Sequence, residues 1–259
     1  MLKGKTAIVT AASRGIGKGV ARVLAREGAN LVIASRDLER LSKTASEIKS
    51  ETGAEVVPVQ ADLTKRADVS KIVETAIGTF GGIDVLVYNT GPPKPGTFLE
   101  LTEEDWDYAV KLLLMSAVWL TKDVLPHMMK KRGGRIIYIT SLTLKRPLPN
   151  LTLSNVIRLS IAGLVKTLAY QLAPYNILVN AVLQGYVETE RVLEVARDRA
   201  AREGRSLEDV LKAMAGEIPL GRMAKPEEIG ELVAFLASDK AGYITGSLIN
   251  IDGGYVQCI

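Results

Sequence analysis

The chain has 259 residues, 47% of them hydrophobic and 24% charged, with a formal net charge of +4. That composition fits one globular α/β domain able to bury a large core, and it excludes a low-complexity chain. One cysteine, Cys258, and one histidine, His127, rule out an internal disulfide framework and a metal cage built from Cys or His.

The positive balance points only weakly to nucleic acid. Basic residues alternate with acids in helix-like stretches such as REGRSLEDVLK, the pattern of a solvated face, and aromatics make up only 5%. A general attraction for anionic small molecules is the more modest inference. MLKGKTAIVT runs straight into a strand-like segment, and no apolar run reads as long enough to span a membrane. The expectation is a cytoplasmic protein with neither membrane nor nucleic-acid partners.

In chain order, TAIVT reads as a first strand, followed by the turn AASRGIG and a helix over 15–28. NLVIAS and a helix over 37–51 come next, then EVVPVQ with a helix over 65–79, and IDVLVYN. A long helical stretch over 102–131, expected to be broken, leads to RIIYIT, a helix over 154–173, and ILVNAV. The charged stretch 190–217 interrupts this alternation and is expected to be helical. PEEIGELVAFLAS, with Pro226 in its first turn, and SLINID close the pattern. Short β-branched runs separated by helices predict a Rossmann-type, doubly wound, seven-stranded parallel sheet with helices on both faces. The whole of 1–259 reads as one dinucleotide-binding domain, with 190–217 a substrate lid or, alternatively, a surface helical hairpin.

The turn after the first strand carries the first chemistry. Gly15 and Gly17 let the backbone approach a pyrophosphate at a helix N-terminus, where unpaired N–H groups and the helix dipole favour anions. A glycine pair alone is a weak signal, and its place after the first strand strengthens it.

TAASRGIG resembles the T-G-x-x-x-G-x-G turn of the short-chain dehydrogenase/reductase family, and the likeness runs along nearly the whole chain. ADLT at 61–64 resembles the family's adenine-binding segment, YNTG at 88–91 its N-N-A-G, and GRIIYITS its strand ending in the catalytic serine. VNAVLQGYVET at 179–189 resembles the segment that embraces the nicotinamide, and 219–254 resembles the C-terminal pattern of 3-oxoacyl-ACP reductases. The resemblance implies cofactor contacts from Ser13, Arg14, Gly15, Ile16 and Gly17 in the turn, Asn89 and Gly91 after the fourth strand, and Val187 and Thr189 near the carboxamide. Asp62 is expected to accept from the adenine amino group with Leu63 packing nearby, or else to cap the following helix. Ala11, Tyr88 and Gln184 depart from the family's pattern at this end.

The second strand ends IASRD, so Ser35 stands where an NAD-binding acid would be, and Arg36 follows. With Arg14 in the glycine turn, two guanidiniums suit a 2′-phosphate, so NADP(H) is expected over NAD(H); the alternative is that both pair with Asp37 or Glu39.

At the chemistry end the resemblance implies a tyrosine, a lysine four residues later, a serine and an asparagine. Ser141 fits the serine, but Ser154, Arg158 and Leu113 fall at the other three positions. A serine hydroxyl is too weak an acid to replace a tuned tyrosine near neutral pH. Arg158 cannot give up its proton, yet it could hold ribose hydroxyls or stabilise an oxyanion. Structural alternatives are a helix N-cap for Ser154 and an ion pair for Arg158. Tyr88 and Tyr186 are expected to be wall or core residues rather than proton donors, and Lys111 to point away from the asparagine position. Lys145 and Arg146 could greet an acidic substrate or be loop charges, and His127 reads as structural.

Ser141, Ser154 and Arg158 are therefore the candidate catalytic residues of an atypical NADP(H)-dependent oxidoreductase acting on a small carbonyl or alcohol, possibly acidic. The competing reading is a non-catalytic nucleotide sensor or a partner subunit of a mixed oligomer. The resemblance also implies a homo-oligomer, dimer or tetramer.

Overall fold

Seven parallel strands in the order β3-β2-β1-β4-β5-β6-β7 form the centre of the structure, a computed structural model that describes residues 1–257. Cys258 lies outside the described residues. The strands are β1 (Thr6–Thr10), β2 (Asn30–Ser35), β3 (Val56–Gln60), β4 (Val85–Tyr88), β5 (Gly134–Ile139), β6 (Ile177–Gln184) and β7 (Leu248–Ile251). Each falls on a run expected to be extended, because such runs can bury both faces only within a helix-covered parallel sheet. Pro58, which cannot donate to a ladder, is tolerated because β3 is an edge strand paired only with β2.

Helices α1 (Gly15–Arg26), α2 (Leu38–Thr52) and α10 (Pro226–Ala237) cover one face around Val9, Leu24, Ile33 and Val233. Helices α3 (Arg66–Phe80), α5 (Ser116–Lys131) and α7 (Leu159–Leu172) cover the other around Ile8, Ile72, Leu120 and Val165. Gly19 and Gly230 let α1 and α10 approach, since a Cβ on Gly19 would lie 2.5 Å from Pro226 and one on Gly230 2.7 Å from Val23.

The stretch expected to be broken is broken by a π turn. Helix α4 (Glu103–Val110) passes through Lys111–Met115 as one π-helical turn into α5. The cause comes from β4: Tyr88 Oη donates to the Leu112 carbonyl at 2.9 Å, approaches the Leu113 carbonyl at 3.3 Å and lies 2.6 Å from Ser116 Oγ. A side chain inserted into the helical ladder widens it.

Two sequence expectations need correction. The segment Thr152–Tyr175, comprising α6 (Thr152–Ile157), α7 and a closing turn, is by length and composition apolar enough to cross a membrane, with mean hydropathy 1.3. Its inner face, with Ile161, Val165 and Leu172, is buried over the sheet, and Val156, Leu159 and Tyr170 are left exposed. Ser154 is not a helix cap: α6 begins two residues earlier, after Leu151, and Ser154 sits buried within it.

The stretch 190–217 folds as two helices, α8 (Glu190–Glu203) and α9 (Leu207–Gly216). They share a small separate core of Ala196, Ala200, Val210 and Met214 with Leu142, Ile218, Met223 and Tyr255.

Candidate active site

The chain reverses its direction of winding between β1 and β4, and a cleft of about 1290 Å³ opens over the C-terminal ends of those strands. Switch points of this kind are where open α/β sheets leave a crevice. Thr10 ties the two strand ends together: its Oγ1 accepts from the Asn89 N–H at 2.9 Å and donates to the Asn89 carbonyl at 2.7 Å.

The glycine turn forms the cleft's floor. Ala11 adopts φ +49°, so the residue standing in for a glycine holds a left-handed conformation that costs an alanine roughly 1–2 kcal/mol. Gly15 has φ +54°, and a Cβ there would lie 3.3 Å from Thr189 Cγ2. Gly17 does not line the cleft; it is buried beneath the turn, where a Cβ would come within 2.2 Å of the Ala11 carbonyl oxygen. Helix α1 begins here with Arg14 as N-cap residue, no side-chain cap and no acid in its first turn. Its first N–H groups are thus available to an anion in the cleft.

Ser13, Arg14, Ile16, Ser35 and Arg36 line one end of the cleft, with Asp62 and Leu63 beside them. Neither arginine makes the ion pair with Asp37 or Glu39 that the sequence left open. Arg14 pairs with Glu190 at the start of α8, and Arg40 reaches the same carboxylate at 3.2 Å. Arg36 donates to Tyr108 Oη at 3.4 Å and pairs with no carboxylate among the described residues. Arg40, four residues after Arg36 in the first turn of α2, was missed in the sequence. Asp62 does not cap α3, whose N-cap residue is Lys65. Its Oδ1 accepts from the Thr64 N–H at 3.0 Å and the Thr64 hydroxyl at 2.8 Å. Burial raises its pKa, and the Thr64 hydrogen bonds and the Arg36 charge outweigh that and hold it below the ordinary value.

Asn89, Gly91, Ser141, Ser154, Arg158, Val187 and Thr189 line the opposite end. Ser141 Oγ accepts from the Thr143 N–H at 3.2 Å, which leaves its own proton to donate. Ser154 Oγ accepts from Arg158 Nε at 3.1 Å, and an Arg158 Nη donates to Thr90 Oγ1 at 3.3 Å. Thr90, between two motif residues, was not singled out in the sequence. Arg158 keeps some surface toward the cleft while its guanidinium lies deep, and burial pushes its pKa below the ordinary arginine value. The structural ion pair considered for it is absent among the described residues. Thr189 is the N-cap residue of α8 but makes no side-chain cap bond, so its hydroxyl is not spent on the helix. Val187 is buried and bridges Ala224, fixing the segment between β6 and α8.

The remaining polar candidates sort by position. Tyr88 is in the core, edge-on to Tyr138 at 5.7 Å, and burial raises its pKa. Tyr186 faces the cleft but stacks edge-on with Tyr255 at 5.4 Å, and burial likewise raises its pKa, so it is a wall and a poor acid. Leu113, where the resemblance implies an asparagine, is buried, and Lys111 is exposed. Arg146 lies over the Tyr255 ring at 4.4 Å and lines the cleft, whereas Lys145 is exposed and does not line it. His127 is exposed on α5. Asn155, also missed, clamps the loop before α6 by accepting from the Leu148 N–H at 3.2 Å and donating to its carbonyl at 2.9 Å.

Comparison with known proteins follows the same outline. The family described as Enoyl-(Acyl carrier protein) reductase matches residues 10–256. Oxidoreductase UcpA of Salmonella typhimurium is 42% identical over 98% of this chain and 95% of its own. The 3-oxoacyl-[acyl-carrier-protein] reductase FabG of Thermotoga maritima is 35% identical over 98% of this chain and 99% of its own. Among solved structures, L-sorbose reductase from Gluconobacter frateurii, complexed with NADPH and L-sorbose, superposes with a TM-score of 0.95 at 33% identity, covering 100% of this chain and 98% of that one.

Proposed function

Because this chain belongs to the short-chain dehydrogenase/reductase family and is an NAD(P)-dependent oxidoreductase similar to 3-oxoacyl-ACP reductases, we propose that it interconverts a small carbonyl compound and its alcohol with NADP(H). The observation that carries the cofactor site is the uncapped, acid-free start of α1, set over a Gly17–Ala11 contact that has no room for a Cβ. Those N–H groups would hold the pyrophosphate. Asn89, Gly91, Val187 and Thr189 would frame the nicotinamide, with the Thr189 hydroxyl on its carboxamide. Arg36, without a carboxylate partner among the described residues, together with Ser35, Arg14 and Arg40, favours a 2′-phosphate over a bare ribose hydroxyl. When bound, the dinucleotide supplies or accepts the hydride.

The chain's own groups handle charge on the substrate oxygen. The Ser141 hydroxyl orients the carbonyl. Ser154 extends Arg158 toward it, and the guanidinium stabilises the developing oxyanion while staying protonated. Water gives its proton to the alkoxide, an exchange between groups of similar acidity, because burial leaves Tyr88 and Tyr186 poor acids. Helices α8 and α9 form the lid that excludes bulk water, with Glu190 tying it to Arg14 and Arg40 across the cleft. Exposed Val156, Leu159 and Tyr170 on α6 and α7 support assembly with further copies of the chain. The oxidoreductase names of the relatives favour this reading over a non-catalytic sensor.

The test is calorimetric titration of cofactor-stripped protein with NADPH and with NADH. The expected result is tighter binding of NADPH. Tighter NADH binding would defeat the cofactor preference, and no binding of either would defeat the site.

A further inference from the structure

Three cleft arginines have no carboxylate partner among the described residues: Arg36 and Arg146 are exposed, on the Tyr108 hydroxyl and the Tyr255 ring, whereas the guanidinium of Arg158 lies deep. Arg14 and Arg40 share Glu190, and the cleft arginines on α8 each have a carboxylate partner. Arg158 has two hydroxyls instead, Ser154 Oγ at 3.1 Å and Thr90 Oγ1 at 3.3 Å. Hydroxyls satisfy hydrogen bonds without neutralising charge. A cation taken out of water without a counter-ion is costly, and a guanidinium cannot relieve that cost by losing its proton. Ribose hydroxyls and a carboxamide are also neutral, so the dinucleotide's nicotinamide half would leave the imbalance in place. Its pyrophosphate is spoken for by the start of α1.

The planar fork of a guanidinium matches a carboxylate through two parallel hydrogen bonds. Nε and one Nη are engaged, and the other donors of the fork remain for a ligand. Ser154, proposed to sit near the carbonyl oxygen, touches Arg158 directly, so a group on the fork and a group on the serine are neighbours. Resting on the reading of the chain as a carbonyl reductase, we infer that its substrate carries a carboxylate next to the reacting carbonyl, a 2-oxo acid or the matching 2-hydroxy acid, and that Arg158 receives that carboxylate.

The experiment titrates 2-oxopentanoate and its methyl ester into the protein, both cofactor-free and loaded with NADP+, which cannot reduce them, by calorimetry. The ester keeps an activated carbonyl and loses only the charge. The acid is expected to bind at least about tenfold more tightly than the ester, as charge-assisted hydrogen bonds allow. Arg158→Gln is expected to bring acid and ester together, and Arg158→Lys, a point charge without the fork, to give an intermediate ratio. A thermal melt of each variant establishes that it is folded; should Arg158→Gln not fold, the Arg158→Lys ratio decides. Equal binding of acid and ester, no binding of the acid, or discrimination undiminished in Arg158→Gln (in Arg158→Lys, should Arg158→Gln not fold) would each overturn the inference. NADPH binding without acid binding defeats the anion site and leaves the reductase reading standing. Acid binding to cofactor-free protein that does not take NADPH has the opposite meaning.

Discussion

Replacing Gly17 by alanine tests the turn on which the proposed cofactor site rests. The added Cβ would lie 2.2 Å from the Ala11 carbonyl oxygen, 2.8 Å from its carbon and 2.9 Å from Ala12 Cα, all backbone atoms, where real Cβ contacts stay beyond 3.0 Å. No flexible side chain can yield. The Ala11 peptide must move, and with it the Asn89 Nδ2 contact to the Ala11 carbonyl at 3.4 Å and the Ala12 N–H bond to Ala34 at 3.1 Å. Overpacking of this kind costs about 1–3 kcal/mol. For a chain of this size that is a fall in Tm of roughly 2–12 °C. The same displacement carries the first N–H groups of α1 away from the pyrophosphate position, so NADPH affinity is expected to fall by about tenfold or more. Gly78→Ala is the control: it is exposed on α3, nothing lies within 4 Å of its Cβ, and an alanine there should stabilise by about 0.5–1 kcal/mol without touching NADPH binding. The measurements are a thermal melt and an NADPH titration of both variants. If Gly17→Ala melts with the wild type and binds NADPH as tightly, the close turn is not what builds the site.

Arg36→Ala is expected to weaken NADPH binding by about tenfold to a hundredfold and to leave NADH binding nearly unchanged, read by titration with each nucleotide; equal losses for both would remove Arg36 from the 2′-phosphate. Tyr88→Phe deletes a hydroxyl that lies against the Leu112 and Leu113 carbonyls and Ser116 Oγ, and should cost about 1–2 kcal/mol in chemical denaturation. An unchanged midpoint would mean that the π turn does not depend on it. Glu228 pairs with Arg222 at 2.7 Å and accepts from the Lys225 N–H at 2.8 Å, which pulls its carboxyl down to about 2. A folded pKa below the unfolded one stabilises above about 4.5 and loses that stabilisation as pH falls toward 2. The stability gap between wild type and Glu228→Gln should therefore be constant above pH 4.5 and close near pH 2; solvent screening of this exposed pair keeps it under about 1 kcal/mol. A gap that widens on acidification would reverse the assigned sign.

The strands, the helices between them and the glycine turn were legible because each rests on local pattern. Alternation of short β-branched runs with amphipathic segments leaves few other ways to bury both faces of a sheet. The residues of the cleft were legible for a related reason: the turn and the strand ends lie at fixed offsets from those elements, and folding brings Ser13, Asp62, Asn89, Ser141, Arg158 and Thr189 around one opening. That Ser154 and Arg158 stand where the resemblance implies a tyrosine and a lysine was likewise read from the sequence.

Partnership was decided only by tertiary structure. Nothing near Arg14 in sequence indicates that its carboxylate is Glu190, or that Arg40 shares it. The dipeptide context of Tyr88 does not show that its hydroxyl enters the ladder of a helix more than twenty residues away and widens it into a π turn. Ser154 looked like a cap because its neighbours suit one, yet α6 starts earlier, at Thr152, whose hydroxyl donates to the Gly96 carbonyl at 2.9 Å. That Arg158 has no counter-ion among the described residues is likewise a property of everything folded around it. Periodicity reports which face of an element is apolar; which charge meets which is set by the packing of elements far apart in the chain, and there the identity of a residue alone says little about its electrostatic state.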